Sequence, residues 1–150
     1  MAYVTSEARQ QLLDEVAQAI DRLAIGLAAV GAAYEGLDEQ SGDRLEEALF
    51  RPLQVAYGRA QRTHSGFAER HGLKGRAFAP ATARNQGVRE HVEDAVDAIS
   101  GADELLSELQ DSMMPVEVGD AEVRAGLAEV RELLSPLPER AHELSRRFGR

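Results

Sequence analysis

The stretch LLDEVAQAIDRLAIGLAAVGAAYEGL, residues 12–37, sets an apolar side chain alternately three and four positions apart: Leu13, Val16, Ile20, Leu23, Leu27, Val30, Tyr34 and Leu37. A period of 3.5 sustained over several heptads is the pattern of an α-helical seam whose side chains pack as knobs into holes. The same alternation returns at Val88, Val92, Ala95, Ile99, Ala102, Leu106, Leu109 and Met113, and again at Val123, Leu127, Val130, Leu134, Leu137, Ala141, Leu144 and Phe148. No segment alternates with the period of two that a half-buried strand requires. The expected fold is all-α.

Between the first two of these seams lies a less regular one: Leu45, Leu49, Leu53, Ala56 or Tyr57, Ala60, His64 and Phe67. Pro52 falls inside it, where the ring removes a backbone donor and crowds the preceding turn, so a kink is expected there. Asp43 with Glu46 three residues on reads as a capping pair for the start of this helix. The expected boundaries are about 6–36 and 43–70 for the first two helices, the second stopping at Gly72. The third is expected to start between Thr82 and Gln86 and to end by Met113, ahead of Pro115. Asp120 is placed as the cap of the fourth helix, and Ser135-Pro136 as a second bend through which the seam keeps its phase. Short connections then predict one domain over residues 1–150, an antiparallel up-down-up-down four-helix bundle with kinks near Pro52 and Pro136.

The 150 residues suffice for one core of ordinary size. Without cysteine there are no disulfides, thiolate ligands or cysteine nucleophiles. Sixteen of the seventeen Lys and Arg residues are Arg, which points to a GC-rich coding sequence rather than to a function. The N-terminal MAYVTSEARQQ lacks the basic start and apolar core of a signal peptide. The most apolar run, AIGLAAVGAA at 24–33, is too short to span a bilayer, so the expectation is a cytoplasmic protein without a membrane contact. Gly26, Ala29 and Ala33 on the first helix form a small-residue face suited to close approach of a neighbour or of a second bundle.

Charge is unevenly distributed. Residues 51–91 carry Arg51, Arg59, Arg62, Arg70, Lys74, Arg76, Arg84 and Arg89 against Glu69 and Glu90, a balance of +6 in a chain of net −9. From Glu90 to Glu122 there are many carboxylates and no Lys or Arg. One reading is electrostatic pairing of the second helix with the acidic third, with Arg–carboxylate contacts between 51–70 and 90–111. The other gives the glycine-bearing loop HGLKGRAFAPATARNQG, residues 71–87, a binding role, with Arg62, Arg70, Lys74, Arg76 and Arg84 as candidate ligand-binding residues for a small anion. Nucleic acid is disfavoured by the acidity of every other face and by the absence of a phosphate-loop or nucleic-acid motif.

The histidines supply the remaining constellation. In an up-down-up-down bundle His64, His91 and His142 fall near one end, with Glu15 on the first helix and Glu139 one turn before His142. Imidazole with carboxylate suits zinc or iron, which makes His64, His91, His142, Glu15 and Glu139 the candidate metal ligands. The chain has a single Glu-x-x-His motif, whereas a di-iron carboxylate bundle uses two. Ser65 and Ser100 have no arrangement of base and carboxylate around them, so nucleophilic catalysis has no support. The functional expectation is a non-enzymatic bundle acting through self-association or a protein partner. The alternative is a metal or small-anion site at the end carrying the 71–87 loop.

Overall fold

The computed structural model describes residues 2–148, and side chains from Val4 onward. Among the described residues every regular element is helical, as the seams require. They are α1 (Ala2–Glu35), α2 (Glu39–Leu45), a π-helical turn (Glu46–Phe50), α3 (Arg51–His71), α4 (Val88–Asp111), α5 (Met114–Glu117), α6 (Ala121–Leu134) and α7 (Leu137–Phe148). The seam positions form the core: Leu13, Val16, Ile20 and Leu23 meet Leu49, Leu53 and Phe67, Val92, Ile99 and Leu106, and Leu127, Leu134 and Leu137, all essentially without solvent contact. Each such Leu or Ile contributes about 1.5–3 kcal/mol relative to an exposed one. Tyr34 and Met113, in phase with their seams, are nonetheless exposed because each sits at a helix end beyond the core.

Local chemistry fixes the helix ends. Asp38, not Asp43, starts the second helical stretch: its carboxylate accepts from the Ser41 amide at 2.8 Å, so the helix begins four residues ahead of the expected cap. The π turn at Glu46–Phe50 leads directly into Arg51 and Pro52, with the Arg51 amide reaching back five residues to the Glu46 carbonyl. A π turn is one way a helix absorbs a residue that cannot donate, and it carries the chain past Pro52 without a break into α3. Gly72 closes α3 in the left-handed conformation (φ 61°), which costs glycine little and any other residue more. Asp120 caps α6, accepting from the Val123 amide at 2.7 Å. Ser135 remains in right-handed helical geometry instead of acting as an extended cap, and Leu134, Leu137, Ala141 and Leu144 stay buried through the α6–α7 junction. α4 starts at Val88, later than expected, after Gly87 in extended conformation.

The spatial order of the helices differs from the expected up-down-up-down sequence. Arg9 Nε donates to the Val118 carbonyl (2.9 Å) and Gln10 bonds the backbone of Lys74, so the start of α1, the end of α3 and the start of α6 share one end. At the other end Val88 packs against Gly36, so α4 begins where α1 stops, and Arg140 of α7 donates to the Ala48 carbonyl at 3.3 Å. α1 packs on α3 and α4, and the α6–α7 stretch also packs on both. α3 and α4 thus run in the same direction across the diagonal. Every neighbouring pair is antiparallel, and residues 72–87 return the chain along α1 from Gln10 to Gly36.

The small-residue face of α1 lies inside this arrangement. Ala29 and Ala33 are buried, and a Cβ at Gly26 would touch Ala98, Leu53 and Ile99 at 3.5–3.7 Å. By length and composition α1 is apolar enough to cross a membrane, longer than the run at 24–33 implied. In this fold its apolar side is the bundle core.

α3 and α6 approach closely at Gly126 of α6, where an added Cβ would overlap the Thr63 hydroxyl and lie 2.7 Å from Thr63 Cγ2. Thr63 is held by its own bonds to Arg59 and is buried. Gly126→Ala should therefore destabilise by about 1–3 kcal/mol through overpacking. Gly31→Ala, at a helical position with open space around it, should stabilise by about 0.5–1 kcal/mol. Urea unfolding of the two variants at neutral pH measures both, and opposite signs are expected.

Candidate ligand groove

The C-terminal half of the crossover covers a groove between α1 and α4 of about 390 Å³. Arg22, Ile25 and Ala29 of α1 form one wall, and His91, Asp94, Asp97 and Ala98 of α4 the other, with Thr82, Ala83 and Arg84 from the crossover above. These walls follow from the helical periods: 22, 25 and 29 share a face of α1, as do 91, 94 and 98 of α4. His91 is 5% exposed. Gln86 binds Asp94 Oδ2 at 2.5 Å and approaches His91 Nδ1 at 3.4 Å, tying the crossover to α4. Arg84 lies 3.7 Å from Asp94, a loose and exposed pair. Arg22 extends over Gly101 of α4, whose missing side chain leaves room for the guanidinium.

Of the five residues expected to bind an anion, only Arg84 borders this groove. Arg70 is engaged at the opposite end, donating to Asp120 through Nε and Nη2 (2.8 and 3.0 Å) and pairing with Glu122 at 2.7 Å. Arg76 pairs with Asp21 at 2.5 Å while lying 4.4 Å above the Phe78 ring. Lys74 contributes its backbone, which Gln10 bonds on both sides. Arg62 borders neither this groove nor an ion pair among the described residues. The expected arginine contacts from 51–70 to the acidic helix at 90–111 are replaced by contacts to α6. Arg59 pairs with Glu129 at 2.6 Å and Arg70 with Asp120, while Asp103 of α4 pairs with Arg131 of α6 at 2.9 Å. The reason is the topology: α3 and α4 are diagonal, and α6 separates them.

The same reversal disperses the expected metal ligands. His64 lies near the end of α3, buried beneath the crossover, its ring edge-on to Phe78 with centroids 4.9 Å apart. Burial pushes its pKa below the ordinary histidine value, reinforced by the Arg76 charge and opposed in part by Asp14. His91 is at the start of α4, at the other end of the molecule. His142 is exposed in a separate groove of about 500 Å³ between α7 and α4, with Arg89, Val92, Glu93, Val96 and Arg146. Glu139 is exposed on α7 and Glu15 half-buried on α1. Among the described residues no three His, Asp or Glu side chains converge as a metal would need.

Arg22, Ile25 and Thr82 were not recognisable in the sequence as groove residues. They are separated by some sixty positions and meet only because the crossover follows α1. Protein-family models, curated proteins and solved structures all give no match to this chain.

Asp120 ties the far end together, capping α6 and accepting from Arg70 and from His71 Nε2 (2.8 Å). Partial burial alone would raise its pKa, but the bonds from Arg70, the Val123 amide and His71 hold it well below the usual carboxylate range. Since the folded pKa is depressed, its stabilisation is complete above the unfolded value of about 4 and disappears as pH falls further. Asp120→Ala should lose about 1–2 kcal/mol at neutral pH from cap and ion pairs. Asp120→Asn, which keeps a capping oxygen, should lose less. Urea unfolding at neutral pH and near pH 3 should show wild type and Asp120→Asn converging in acid.

Proposed function

We propose that this protein is a non-enzymatic helical bundle that works by association, with a second copy of the chain as its partner. What supports the reading is an exposed apolar set at the end where α1 begins and α5 turns: Val4 is 61% exposed, Val116 56% and Met113 48%. Met113 is held there in a left-handed conformation (φ 68°) that residues other than glycine seldom adopt. The face of Gly26, Ala29 and Ala33 is no longer the surface of choice, because it is spent on internal packing. The same reading takes the helical path to bend near Pro52 and Pro136, in keeping with the π turn and the α6–α7 junction.

A second reading, a bundle that binds a small anionic ligand, is favoured by the groove beneath the crossover, where Arg22, Arg84 and the nearly buried His91 meet.

Sedimentation velocity at micromolar concentration tests association. A dimer is expected for the wild-type chain, and a monomer with an unchanged helical circular dichroism spectrum for Val116→Asp. A wild-type chain that stays monomeric throughout the concentration range would remove the reading.

A further inference from the structure

The groove under the crossover has one charge of each sign left over. Arg84 and Asp94 pair with each other, and Asp94 also takes the Gln86 amide. Among the described residues Arg22 has no carboxylate within ion-pair distance and Asp97 has no cation, yet they border the same groove from opposite walls. The same groove carries apolar surface: the buried Ala29 and Ala98, and Ile25, which is 47% exposed. Thr82 and His91 add polar side chains to the same lining. The volume of about 390 Å³ falls within the range of small-molecule sites.

We infer that this groove binds a small zwitterion of the apolar α-amino acid class, its carboxylate on Arg22, its ammonium on Asp97 and its side chain against Ile25, Ala29 and Ala98. This inference rests on the ligand-groove reading and narrows it: a simple anion would satisfy Arg22 and leave the acidic wall of α4 facing its apolar tail. A zwitterion meets both walls, with a charge-assisted bond at each end. Gly101 contributes by letting Arg22 lie across α4 instead of swinging into solvent.

Isothermal titration with L-leucine, 4-methylpentanoate and 3-methylbutylamine separates the possibilities, because the two analogues each lack one charge. Leucine should bind about tenfold or more tightly than either analogue, a difference of about 1.4 kcal/mol or more. Arg22→Gln should make leucine and 3-methylbutylamine bind alike, and Asp97→Asn should do the same for leucine and 4-methylpentanoate. Thermal unfolding confirms that each variant remains folded, as both replace side chains without ion-pair partners. Equal binding of 4-methylpentanoate and leucine to the wild type would overturn the zwitterion assignment and leave the anion reading standing. Equal binding of 3-methylbutylamine and leucine would overturn the assignment as well. Absence of binding by all three at millimolar concentration would overturn both.

Discussion

Sixteen residues without regular structure have to carry the chain back along α1 from near Gln10 to Gly36, because α3 and α4 run in the same direction. From Gln10 to Gly36 the helix rises about 39 Å. The residues from Lys74 to Val88, nearly extended, reach about 45 Å, so the crossover is just long enough and must stay close to α1. Its anchors follow α1 in order: Lys74 at Gln10, Arg76 at Asp21, the segment 82–84 beside 22–29, and Val88 at Gly36. Which helices become neighbours, which charges meet and where the grooves form all depend on that path.

Once α3 and α4 are diagonal, most of the polar interactions between helices pass through α6 and the crossover. Asp120 gathers Arg70, His71 and the first turn of α6 at one end. Arg131 joins α6 to α4, bonding Asp103 and Gln110 (2.9 Å each). Such partly exposed pairs contribute little to stability individually. Their effect is directional: the acidic α4 and the basic α3 each find opposite charge on the helix between them.

The basic loop that stands out in the sequence is therefore occupied mainly in holding itself down. Arg76 is committed to Asp21 and Phe78, and Phe78 in turn covers His64. What remains open is the stretch near Thr82–Arg84, where the crossover spans between α1 and α4 and leaves a roofed groove. At the opposite end short α5 turns the chain and leaves Val116 and Met113 exposed, the surface on which the proposed association rests.

The sequence by itself determined the helices, their buried faces and several of their ends. The 3.5-residue period needs no partner to be read, and Asp120 and Gly72 act on amides and carbonyls within a turn of themselves. Misplaced ends, as at Asp43 against Asp38, fell where two carboxylates offered the same local chemistry. The order of the helices was decided only in the tertiary structure. A seam records that a helix has a partner, not which helix that partner is. The connection at 72–87 is long enough to turn back at once or to run the length of the bundle. The dispersal of His64, His91 and His142, and the placing of Arg22 and Asp97 on one groove, follow from that choice alone. They depend on contacts between residues some thirty to seventy-five positions apart, to which no local pattern in the chain responds.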